Sequence, residues 1–229
     1  MSYLKQNIQQ VTSRIKAAAE RSGRKLEDIR LIAVTKNFSA DVVQEAVDNG
    51  IVLLGENRVQ EAKSKVELVK GNVEWHLIGH LQRNKVKDAI NIFSMIQSLD
   101  SMRLAEEIQK RAEQAEKVID VLVQVNIGRE ASKYGIDPDD TEDFVKKIAL
   151  LPNLRVRGLM AIAPFEENPE DVRIYFRNLY NIFQNLKDKS IKNVNMEYLS
   201  MGMTHDFEVA IEEGANMVRI GTGIFGSRK

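Results

Sequence analysis

Cysteine is absent from this sequence, which excludes disulfide cross-links, thiolate catalysis and cysteine zinc sites. Net charge is absent as well, since 33 basic side chains offset 33 acidic ones. Nucleic-acid binders and membrane-surface proteins carry a basic excess, so no nucleic-acid partner and no membrane partner is expected. A local positive pocket remains compatible with the balance. No apolar run reaches the length needed to cross a bilayer, and residues 1–20 are polar at helical intervals, unlike a secretion signal. A soluble cytoplasmic protein is the resulting expectation. Linkers, low-complexity tracts and breaks in composition are also missing. With 229 residues, 43% of them hydrophobic, the chain is expected to form one domain over 1–229.

What is present is a regular alternation. Leu4, Ile8, Val11, Ile15 and Ala18 recur at spacings of three and four, which predicts an amphipathic N-terminal helix ending at Ser22-Gly23. Strand-like runs then follow at 29–35 (IRLIAVT), 51–55, 73–79 (VEWHLIG), 93–98, 118–126 (VIDVLVQVN), 154–161 (LRVRGLMA), 196–200 and 216–220 (NMVRI). Helical stripes separate them, among them Val59, Ala62, Val66 and Val69, and a helix from about 205 to 213 stopped by Gly214. Of the strands, 196–200 is the weakest.

Eight strand–helix units in a row predict an α/β fold, a single (β/α)8 TIM barrel with an extra N-terminal helix. An open doubly wound sheet shares the alternation, but its phosphate fingerprint is a glycine cluster in the first βα turn. Here the glycine cluster follows the last strand, where barrels commonly build a phosphate site.

Chemistry in a barrel collects where the strands finish. Lys36 follows the first strand, Glu56 and Asn57 the second, His80 the third, Ser98 and Asp100 the fourth, and Asn126 the fifth. The seventh runs into Ser200, Met201 and Gly202, and the eighth carries Arg219 into Gly221-Thr222-Gly223. By position alone Lys36 reads as an ordinary lysine leaving the barrel for solvent. Desolvation over an apolar interior would instead lower its pKa and free the amine to attack an aldehyde.

Gly221, Thr222, Ser200 and a helix capped by Thr204 would make a neutral phosphate cradle, or simply a turn closing the barrel. Arg219 lies within an apolar strand, where an unpaired guanidinium is costly. It either pairs with a carboxylate such as Glu197 or faces a ligand. His76 and His80, four apart on a strand, would stand about 13 Å apart, so no metal site is expected.

Taken together, LIAVTK (31–36), Gly55-Glu56-Asn57, WHLIGHLQRNK (75–85), SKYG (132–135), RGLM (157–160), LSMGM (199–203) and MVRIGTGIFG (217–226) span the chain in order. The set resembles the pyridoxal phosphate homeostasis protein family (YggS-like proteins). That resemblance implies a fold-type III barrel like the N-terminal domain of alanine racemase. It implies pyridoxal 5′-phosphate as cofactor, held as a Schiff base on Lys36. Ser200, Gly221 and Thr222 are implied around the phosphate, Arg219 toward the pyridine nitrogen, and Asn57 near the ring.

The expected role is intracellular binding, buffering and delivery of the cofactor, with cofactor-dependent apo-enzymes as partners and no catalytic residues. The alternative is a fold-type III amino-acid racemase. An arginine at the pyridine nitrogen can only donate, so it leaves the ring a poor electron sink, and a racemase also needs a second base. In alanine racemase that tyrosine comes from a C-terminal β-domain. With the sequence stopping at Lys229, a few residues past the last strand, no such domain is expected, and a monomer is expected. A third reading, an aldolase with a Schiff-base lysine for a sugar phosphate, would have only Asp100 or Glu56 as acid–base partner.

Overall fold

The computed structural model describes residues 2–226. Its first element is helix α1 (Tyr3–Arg21), capped by Ser2, whose hydroxyl accepts from the Lys5 amide at 3.2 Å. The expected apolar stripe from Leu4 to Ala18 is buried. The units that follow are β1 (Arg30–Val34) and α2 (Ala40–Asp48), β2 (Leu53–Glu56) and α3 (Val59–Lys63), β3 (Glu74–Leu77) and α4 (Val86–Ile92), and β4 (Met95–Leu99) and α5 (Met102–Gln114). Then come β5 (Ile119–Val125) and α6 (Thr141–Ile148), β6 (Leu154–Ala161) and α7 (Arg173–Lys187), β7 (Val194–Ser200) and α8 (Phe207–Glu212), and β8 (Met217–Ile220) and the short α9 (Thr222–Phe225).

All eight strands are parallel and close on themselves, β8 pairing with β1 through Ala33 opposite Ile220. This is the (β/α)8 barrel with one extra N-terminal helix. Helix α1 lies outside the ring against α8 and α9. There Arg14 meets Glu208 at 2.6 Å, and the Asn7 amide donates to Ile224 O at 2.8 Å.

Where the boundaries depart from expectation, the cause is local. Strand β7 begins at Val194 because its first half alternates, with Asn195 and Glu197 exposed and Met196 buried, so its apolar signal is diluted. Helix α3 stops at Lys63, leaving Val66 in a turn and Val69 just beyond it, as Lys65 swings inward to a buried partner. Helix α8 starts at Phe207, and Thr204 does not cap it. Thr204 Oγ1 accepts from the Gly223 amide at 3.3 Å instead, tying the β7 loop to the first turn of α9.

Two apolar clusters fill the structure. The larger lies between strands and helices. The smaller is inside the barrel and comprises Ile32, Leu53, Met95, Leu122, Met160, Tyr198 and Met217. Below it, the N-terminal mouth is plugged by charge. Asp120 binds Arg155 at 2.5 Å and Arg157 at 2.8 Å, and Arg157 also binds Glu197. Arg30 and Arg157 lie against the Tyr198 ring, and Arg30 donates to the Tyr198 hydroxyl at 2.7 Å. Strand β6 bulges at Arg157-Gly158, where its register shifts against both neighbours.

Candidate functional site at the C-terminal mouth

The barrel brings the expected residues to one end. Lys36 sits two residues beyond β1 and Asn57 directly beyond β2, both half-buried. Ser200 closes β7, Arg219 is the third residue of β8, and Gly221-Thr222 opens α9. Because β1 pairs with β8, the Lys36 turn and the Gly221 turn are neighbours.

Arg219 is only 4% exposed, yet among the described residues no carboxylate lies within 4.0 Å of it. Its Nη1 donates to Ser200 Oγ at 2.7 Å and its Nη2 to Ala161 O at 2.8 Å. Glu197 is not its partner, being engaged with Arg157 at the opposite mouth. Burial lowers the Arg219 guanidinium to about 10, against the weaker opposing pull of Asp206. An arginine at that value is still charged near neutrality. The result is a positive group set into an apolar strand with neutral acceptors only, which suits an incoming acceptor atom.

The turn holding Lys36 is fixed from outside the barrel. Thr35 Oγ1 donates to Glu56 Oε1 at 2.6 Å, and Lys65 Nζ donates both to Glu56 Oε1 at 2.7 Å and to Thr35 O at 2.8 Å. Glu56 therefore braces the backbone and does not reach the mouth as an acid–base group. Burial lifts its carboxyl above the usual carboxylate range, and Lys65 and Thr35 pull it back down. Its Oε2 is buried without a hydrogen-bond partner.

Replacing Lys65 by methionine should strand that carboxylate at a cost of about 3 kcal/mol. A carboxyl whose folded pKa is raised contributes fully below its unfolded pKa and loses that contribution as pH rises through the folded value. The stability deficit of Lys65→Met should accordingly grow from pH 4.5 to pH 8 in denaturant melts. A deficit independent of pH would mean that Glu56 stays neutral.

His76 and His80 do not share a strand, because β3 ends at Leu77 and His80 lies in the loop beyond it. His76 points into the barrel, whereas His80 stands at the rim with Nδ1 2.9 Å from Asp100 and its ring stacked on Tyr134 at 3.8 Å. Asn126 holds the following loop, donating to the Glu130 carbonyl and accepting from its amide, and Gln124 donates to the Tyr134 carbonyl.

The family description "Alanine racemase, N-terminal domain" matches residues 6–229. Among curated relatives, the pyridoxal phosphate homeostasis protein of Aquifex aeolicus is 47% identical over 225 residues, covering 98% of both chains. The protein of the same name from Escherichia coli K12 is 39% identical over 233 residues, covering 100% of this chain and 98% of its own. This chain belongs to the pyridoxal phosphate homeostasis proteins, within the alanine racemase N-terminal domain family.

Solved structures agree on the barrel. An unknown protein from Bifidobacterium adolescentis superposes with a TM-score of 0.91 at 33% identity, covering 96% of this chain and 94% of its own. PipY of Synechococcus elongatus, solved with PLP bound, gives 0.80 at 33% identity, covering 93% and 99%. Alanine racemase from Clostridium difficile, at 17% identity and a TM-score of 0.75, covers 98% of this chain with 56% of its own and shares the fold alone.

The donors at this family member's mouth suit a phosphorylated aldehyde. Lys36 offers an amine, Asn57 an amide, Thr222 a hydroxyl and Arg219 a guanidinium, with no carboxylate among them. Sequence reading missed the supports behind them: Lys65, which sits in an apolar helical stripe, and Gln97, a lone amide within a buried strand. Alternation in β4 places Gln97 on the same face as Met95, inside the barrel. That parity was the available signal.

Proposed function

We propose that this protein binds pyridoxal 5′-phosphate at the C-terminal mouth and serves its homeostasis, holding and handing over the cofactor without turning over amino acids. Lys36 is the covalent anchor. Gly221, Thr222 and Ser200 surround the phosphate, Arg219 faces the pyridine nitrogen, and Asn57 lies beside the ring. When bound, the cofactor supplies an aldehyde that condenses reversibly with an amine. The observation that carries the reading is Arg219, a buried cation held by two neutral acceptors where a ring nitrogen would meet it.

The names of the curated relatives and the ligand of the PipY structure support the same reading. An always-protonated donor leaves the ring nitrogen without its own proton, which weakens the cofactor as an electron sink and favours storage over catalysis. Cofactor-dependent apo-enzymes are the proposed recipients, and the chain is proposed to be a monomer of one domain. Among the described residues no helix is long and apolar enough to cross a membrane.

The test is spectroscopic. Protein incubated with pyridoxal 5′-phosphate should gain a near-visible band that collapses on borohydride reduction, leaving pyridoxyl on Lys36 in peptide maps. A colourless protein ends the reading. Stereospecific amino-acid turnover at ordinary enzyme rates, lost with Lys36, would favour the racemase instead.

Gly79 offers a finer probe. A Cβ there would lie 2.4 Å from Asn57 O and 2.7 Å from Asn57 Cα, so no side chain fits without moving Asn57. Gly79→Ala should weaken cofactor binding about tenfold, or roughly 1.4 kcal/mol. Unchanged affinity in a fluorescence titration would remove Asn57 from the site.

A further inference from the structure

A row of polar side chains runs through the barrel beneath the mouth. Arg219, Ser200, Gln97 and His76 are all buried, and Glu74 stands half-exposed at the far end. Arginine can only donate, so Ser200 Oγ accepts from Arg219 Nη1 at 2.7 Å. The one Ser200 hydrogen then goes to Gln97 Oε1, also at 2.7 Å.

With its oxygen so engaged, the Gln97 amide turns its NH2 toward His76 Nδ1 at 2.9 Å and Met217 Sδ at 3.2 Å. An NH2 group cannot accept, so Nδ1 is bare and the ring proton sits on Nε2, 3.6 Å from Glu74 Oε2. Every bond in the row points the same way, from Arg219 toward Glu74.

In that direction Ser200 has no hydrogen left for an anion at the mouth. We propose that His76 and Gln97 form a proton-linked switch that decides whether Ser200 can donate to the cofactor's phosphate. The proposal rests on the cofactor reading above. Freeing the Ser200 hydrogen requires the Gln97 amide to turn over, so that its NH2 donates to Ser200 and its oxygen faces His76. Nδ1 must then carry a proton, while Nε2 keeps its own because Glu74 still faces it. One proton is taken up from solvent, the Ser200 hydroxyl rotates toward the phosphate, and no bond between heavy atoms breaks.

The surroundings of His76 carry little competing charge. Glu74 lies on its own strand, with Arg30 of β1 behind it, 3.7 Å from the other Glu74 oxygen. Gly55 of β2 and Met95 of β4 lie opposite His76 in register, Gln97 of β4 contacts its ring, and Met217 of β8 completes the setting; none of the four is charged. His76 and Gln97 are thus positioning residues that act on the ligand through Ser200. By linkage, phosphate binding that takes up a proton should weaken as pH rises, by up to about tenfold per pH unit. That component should be missing from His76→Gln.

The sequence holds only three histidines, so nitrogen-15 histidine labelling resolves the ring directly, with His76→Gln giving the assignment. The free protein should show His76 neutral with its proton on Nε2. Pyridoxal 5′-phosphate should protonate both nitrogens, pyridoxal without the phosphate should not, and Ser200→Ala should abolish the response. A cofactor seen to bind by its near-visible band while His76 stays unchanged overturns the switch. Absence of any band overturns the cofactor reading and takes the switch with it, so the two failures carry different signatures.

Discussion

Lys36→Ala is expected to fold like the parent protein and to stay colourless in pyridoxal 5′-phosphate. Lys36 stands two residues past β1, is half-buried and belongs to neither apolar cluster, so its truncation removes nothing from either. The turn that carries it is braced independently by Glu56 and Lys65 through Thr35. What disappears is the amine proposed to make cofactor retention covalent. The remaining donors, Arg219 and the Gly221-Thr222 turn, would hold the phosphorylated ring only as a dissociable ligand. A loss of about 100-fold in apparent affinity, or roughly 2.7 kcal/mol, is the expected size. Lys36→Arg, which keeps the charge, should behave the same way. Equal affinity in Lys36→Ala, with pyridoxyl fixed on another lysine after reduction, would move the anchor elsewhere.

Gly158→Ala should be the most damaging single methyl group in the barrel. Gly158 has a φ of +147°, and a Cβ there would lie 1.8 Å from Tyr198 O, across the bulge between β6 and β7. Backbone strain of this kind costs about 1–3 kcal/mol, and forced overlap in a packed interior adds about 1–3 kcal/mol more. A total near 3–4 kcal/mol corresponds to a melting point lower by about 10 °C in a chain of this size. A scan within 2 °C of the parent would mean that β6 can straighten its bulge without losing register.

The fold was legible because its signal is redundant. Eight units repeat one pattern, and an error at one boundary, such as the hidden start of β7, leaves the count intact. The ligand roles proposed for Lys36, Arg219 and the glycine turn came from the family resemblance, whereas their positions were legible because strand ends can be read directly along the chain. The supports were not. Lys65 looks like one more charge on a helix, and its partner Glu56 looked like a mouth residue until alternation in β2 turned it outward. The Gln97–Ser200 bond joins residues 103 apart in sequence, a pairing that no local pattern encodes. The β6 bulge is equally silent, since Arg157-Gly158 reads as ordinary strand.

The plugged N-terminal end gives this barrel a single door. Arg30, Arg157, Tyr198, Asp120 and Glu197 close the floor, and the apolar cluster around Ile32 and Met160 fills the space above it. On the proposed function, loading and unloading would share one doorway and take turns, so a recipient would collect the cofactor only after a supplier had left. Throughput would then depend on how long the doorway is vacant as well as on how tightly the proposed cargo is held.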